Sequence, residues 1–150
     1  MRRKEKEVKD QGELQAIIEG AEFCHLAMVD GDQPYVIPLN FGYRDNTLYF
    51  HSAREGRKLD ILRRHDRVGF AMEAGVQLVE GGTACDWSVT YRSVVGFGRA
   101  SLIEEAREKK AALDVIMAHY AKGSFEYREK GLEQALIIKV RIDEMTGKRS

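Results

Sequence analysis

The chain has 150 residues, 43% of them hydrophobic, and 24 Lys+Arg balance 24 Asp+Glu. That is enough for a single domain, 1–150, with a real core. Zero net charge argues against a nucleic-acid partner, and no apolar run approaches the ~18 residues of a membrane span. The charged opening does not read as a signal peptide, so the expectation is a cytoplasmic protein.

In chain order, MRRKEKEVKD is dense in both signs, and residues 1–10 are expected to be a solvated arm. Residues 13–20 predict a short helix with Leu14, Ile17 and Ile18 on one face and Gly20 as its stop. A strand over 23–29 runs into the hairpin turn Asp30-Gly31-Asp32. Residues 35–43 read as a strand despite Pro38, which cannot donate to a sheet ladder and so marks an edge, a bulge or a place where something other than a strand lies alongside. Arg44-Asp45-Asn46 is a second turn, and 47–51 a third strand. Residues 57–64 predict a helix with Leu59, Ile61 and Leu62 on its apolar side, and 68–73 another strand.

Gly81-Gly82 makes 76–84 read as a loop, before a long strand over 88–103. The strongest helix signal covers 104–122, with Ala112, Leu113, Ile116, Met117 and Tyr120 as its stripe and Gly123 as its end. A last strand is expected over 136–142. About six strands joined mostly by tight turns, with few crossover helices, predict a mainly β fold: an antiparallel barrel with peripheral helices.

The stretch most suggestive of chemistry is His51-Ser52, followed by Gly56-Arg57-Lys58 at a helix start. Hydroxyl and backbone donors there meet a helix N-terminus flanked by two cations, which suits a phosphate. The plain alternative is a loop and a solvated helix start. Basic residues at that end oppose the helix dipole unless an anion is near, which favours the phosphate. On the long strand Val94, Gly96, Gly98 and Ala100 share a face, and glycines there suggest close approach by a ligand or another backbone, the plain alternative being a barrel corner or a tightly packed helix. Trp87 reads as an aromatic lid, a dimer contact or a core residue. Cys24 and Cys85 have no metal spacing, and His25, His51, His65 and His119 form no metal-binding pattern. No acid–base machine is evident, which points to a cofactor as the carrier of reactivity.

PYVIPLNFGY, LYFHSAREGRKLDILRR and CDWSVTYRSVVGFGRA, in this order, resemble the nitroimidazole-resistance proteins. These belong to the pyridoxamine 5'-phosphate oxidase-like FMN-binding split barrels. The resemblance implies a six-stranded split β-barrel and a homodimer with FMN in two clefts between the protomers. It implies that Pro38, Leu39, Asn40 and Phe41 line the flavin ring, that His51, Ser52 and Ala53 flank ring and ribityl chain, and that Arg57 and Lys58 hold the phosphate. Trp87, Ser93, Val94 and Gly96 would come from the partner or the cleft wall. The implied activity is FMN-dependent reduction of a small substrate, such as a nitroaromatic, with electrons from NAD(P)H and His51 near the reactive edge. A flavin- or haem-binding carrier, sensor or sequestering protein is the alternative of another class.

Overall fold

The computed structural model describes residues 4–150. One antiparallel sheet dominates. Its strands are β1 (Glu7–Val8), β2 (Cys24–Asp30), β3 (Gln33–Leu39), β4 (Gly42–Arg44), β5 (Thr47–Ala53), β6 (Arg67–Val79), β7 (Ser88–Ile103) and β8 (Ala135–Arg149). The helices are α1 (Gln11–Glu19), α2 (Arg57–Arg64), α3 (Ala106–Tyr120) and α4 (Glu129–Gln134).

The hydrogen-bonded path runs β3-β2-β6-β7-β8-β5-β4, with β1 pairing β8 off the path. β3 and β4 lie at opposite ends of this path, yet only Asn40 and Phe41 separate them in sequence. A two-residue link forces the two ends side by side, so the sheet curls into a barrel split along the β3/β4 seam. Pro38 and Pro34 both lie on the edge strand, where a missing ladder donor costs least. Asp45 and Asn46, both with positive φ, form the two-residue turn between the paired Arg44 and Thr47.

Inside, alternate residues of the strands make the core, among them Leu26, Phe50, Phe70, Val94 and Ile138. Leu14, Ile17 and Ile18 of α1 and Leu59, Ile61 and Leu62 of α2 join the same cluster. α3 packs outside, with Ala112 and Ile116 against Ile137 of β8.

Several expectations need correction. The sheet has eight strands rather than six. Residues 1–3 lie outside the described part, but Glu7–Val8 is no solvated arm: it pairs with Lys148 and Gly147, and Val8 is buried. The expected loop over 76–84 is strand as far as Val79, with Leu78 paired to Val89. Its residues are exposed on both faces, so no burial alternation was there to read. The last strand continues to Arg149, because a bulge at Asp143 interrupts its apolar pattern without ending its pairing with β7. α4 carries almost no apolar signal. The buried Lys109 ammonium ties it to α3 by donating to the carbonyls of Leu132 and Ala135. No helix among the described residues is long and apolar enough to cross a membrane.

Candidate functional site

Alternation along β5 points Leu48, Phe50 and Ser52 into the barrel and leaves His51 and Ala53 exposed. Ser52 is 5% exposed, and its Oγ has no hydrogen-bond partner. A buried hydroxyl left unpaired costs about 1–3 kcal/mol. Four residues later Gly56 opens α2 with no side-chain cap on the helix, so the first amides of α2 are free for an anion.

The two cations at this helix start behave differently. Arg57 Nε donates to Asp30 Oδ2 at 3.0 Å, and its guanidinium lies 4.7 Å from the centre of the Tyr35 ring. Arg64 Nη2 donates to the other Asp30 oxygen at 2.6 Å. Asp30 thus clamps α2 over the β2–β3 hairpin and already engages Arg57. Lys58 is half-buried and makes no ion pair among the described residues, so its charge, unlike that of Arg57, is not already neutralised by a carboxylate. Ser52, the uncapped α2 amides and Lys58 together fit a phosphate group.

The β3–β4 link is built with equal care. Pro38 and Asn40 are exposed and Leu39 half-buried, while Phe41 is fully buried with its ring centre 4.3 Å from that of His119. The Phe41 N–H donates to the Tyr120 hydroxyl at 3.0 Å, and that hydroxyl donates to the Glu22 carbonyl at 2.8 Å. His119 Nε2 lies 2.7 Å from the Ala21 carbonyl. Burial, more than any other influence, raises the Tyr120 pKa above its ordinary value, so the hydroxyl keeps its proton and both bonds. The end of α3 therefore holds the seam loop in place.

The remaining expected residues divide between surface and core. Ser93 is buried on β7, and Val94 and Gly96 look into the barrel. A Cβ at Gly96 would strike the Phe70 ring and lie 2.6 Å from the Glu144 carbonyl oxygen. The close approach this glycine permits is thus used by the fold's own core, and Val94 and Gly96 can offer a cleft only backbone. Trp87 follows the 3-10 turn Ala84–Asp86 at the far end of the β6–β7 ribbon and is half-exposed. Asp30, His119 and Tyr120 were missed as supporting residues. Asp30 reads as a turn, and Tyr120 as one more residue of an apolar stripe.

Residues 10–149 match the family described as pyridoxamine 5'-phosphate oxidase. The chain belongs to that family. Its fold is the split barrel of the pyridoxamine 5'-phosphate oxidase family. Among solved structures it is similar to a candidate 5-nitroimidazole antibiotic resistance protein from Bacteroides thetaiotaomicron, at 37% identity and a TM-score of 0.84, over 95% of this chain and 86% of that one. A flavocytochrome from Azotobacter vinelandii shares the fold at 23% identity and a TM-score of 0.85, over 100% of this chain and 72% of that one. A curated relative from Rhizobium meliloti, uncharacterised, is 29% identical over 92 residues, which are 61% of this chain and 54% of that protein. The chain spans about half the length of that curated relative.

Proposed function

We propose that this member of the pyridoxamine 5'-phosphate oxidase family is an FMN-dependent oxidoreductase that reduces a small nitroaromatic. One observation carries the cofactor reading: the buried, unpartnered Ser52 hydroxyl just ahead of an uncapped helix start. Ser52 and Lys58 would hold the phosphate, with Arg57 placing α2 through Asp30. Pro38, Leu39, Asn40 and Phe41 would bound the ring, Phe41 through its backbone, with His51 and Ala53 on the exposed side of β5. Ser93, Val94, Gly96 and Trp87 would complete the cleft. When bound, FMN supplies the electron-transfer chemistry between NAD(P)H and the substrate. The 37% identity to the Bacteroides protein supports the nitroaromatic as substrate class.

The protein's own tasks are to bind, to orient and to supply a proton. His51 is exposed beside the expected ring edge, and its imidazole can donate or accept a proton there. A second copy completes the cleft, because Pro38 and His51 stand on open faces of a single chain. Lys58→Glu tests the reading. A negative charge beside the phosphate should weaken FMN binding at least tenfold, or ~1.4 kcal/mol, in a flavin fluorescence titration. Unchanged affinity would place the phosphate elsewhere.

A further inference from the structure

Asn40 and Phe41 carry the chain across the split in the barrel, where β3 and β4 exchange no ladder hydrogen bonds with each other. A link on an open edge has no neighbouring strand to hold it. Its Phe41 N–H donates instead to the Tyr120 hydroxyl, 79 residues away in sequence. The same hydroxyl donates to the Glu22 carbonyl. Only a group that both donates and accepts can join an N–H to a carbonyl, and a tyrosine hydroxyl does so with its single proton.

Further contacts fix the frame on which this hydroxyl stands. A Cβ at Gly42 would lie 2.6 Å from the backbone of Val115 and Ile116, so α3 sits directly on the start of β4. The His119 ring lies against Phe41, and its Nε2 against the Ala21 carbonyl. Ala21 belongs to the same buried cluster as Ile17 and Ile18 of α1. His119 and Tyr120 therefore join the seam link to the corner between α1 and β2. Asn40, one residue before the joint, is exposed and with Glu22, Phe23 and Tyr120 lines a hollow of about 470 Å³. The link is held at Phe41 and open at Asn40.

The phosphate end has a frame of its own. α2, whose uncapped start follows Ser52, packs chiefly on β2 and is clamped by Asp30, whereas α3 packs chiefly on β4. A group that sets the link through α3 therefore acts on the ring end of a flavin and leaves the phosphate end alone.

We propose that Tyr120 is a positioning residue for the flavin ring: through the Phe41 N–H it sets Leu39 and Asn40 against the ring, independently of the phosphate site. This rests on the proposed function, which puts the ring against 38–41. In the flavin-free wild-type chain the Phe41 amide should be protected from hydrogen exchange. Tyr120→Phe should make that amide exchange roughly tenfold faster, while the amides of buried Leu48 and Phe50 keep their rates. In the FMN-loaded protein the same variant should move the visible flavin bands toward those of free FMN. Riboflavin has the ring without the phosphate, so Tyr120→Phe should weaken FMN and riboflavin by the same factor, roughly threefold to tenfold. Lys58→Glu should weaken FMN alone. A hydroxyl serving only the fold would lower the melting temperature and leave the bands and both affinities as in wild type, which would overturn the proposal. A much larger loss for FMN than for riboflavin in Tyr120→Phe would overturn it too. If that variant fails to fold, exchange in the wild-type chain decides, and an unprotected Phe41 amide would overturn the proposal. A wild-type chain that retains no flavin would contradict the proposed function and this inference with it. One that binds FMN, and is matched by Tyr120→Phe in bands and affinities, would contradict this inference alone.

Discussion

Replacing Ser52 with Ala should move stability and cofactor affinity in opposite directions. In the flavin-free chain the Ser52 hydroxyl is buried among core residues with nothing to bond. Removing it relieves an unsatisfied polar group worth about 1–3 kcal/mol, offset in part by the small void left behind. A net gain of about 1 kcal/mol raises the melting temperature of a chain of this size by about 2–4 °C. With FMN present the sign reverses. A hydroxyl donating to a charged phosphate contributes about 1.5–3 kcal/mol, so the variant should bind FMN roughly tenfold to a hundredfold more weakly. Calorimetric melts of the flavin-free protein and a flavin fluorescence titration give both numbers from one preparation. A lower melting temperature with unchanged FMN affinity would refute the phosphate role of Ser52 and show a hydroxyl serving the core.

His51→Ala should lower turnover with NAD(P)H and a nitroaromatic at least tenfold while FMN retention stays close to wild type; equal losses of both would make His51 a cofactor contact only. Gly96→Ala forces a methyl into the Phe70 ring and the Glu144 carbonyl, and should destabilise the fold by about 1–3 kcal/mol in a denaturant titration. Exposed Cys85 should react at once with a colorimetric disulfide reagent, and buried Cys24 only after unfolding. Burial, with a smaller contribution from Glu73, pushes the Cys24 thiol up from 9.0 to about 12. A raised folded-state pKa means the unfolded chain loses this proton first as pH rises. The stability it contributes is therefore complete below pH 9 and lost toward pH 12, and Cys24→Ala should flatten that alkaline fall in thermal melts.

The fold was legible wherever one face of an element is buried. α2 and β7 begin and end where their patterns place them, because α2 buries Leu59, Ile61 and Leu62 and β7 turns Val94, Gly96 and Gly98 inward. The β6–β7 ribbon was not legible, since an element exposed on both faces leaves no alternation to detect. The bulge at Asp143 hid the rest of β8 in the same way. At the site, the His51-Ser52 and Gly56-Arg57-Lys58 clusters could be read from spacing. Their division of labour could not. That Asp30 holds Arg57, leaving Lys58 free, depends on a contact across 27 residues of chain. The glycines of β7 were equally ambiguous in sequence, and only the Phe70 ring against Gly96, with the Arg141 carbonyl and Val140 against Gly98, shows that the fold itself occupies their space.

The most direct test of flavin binding is a visible absorption spectrum of the purified protein after FMN is added and the excess removed by desalting. Flavin bands that stay with the protein in near-stoichiometric amount are the expected result. A colourless protein, with all FMN in the wash, would contradict the phosphate site at Ser52 and Lys58 and the oxidoreductase built on it.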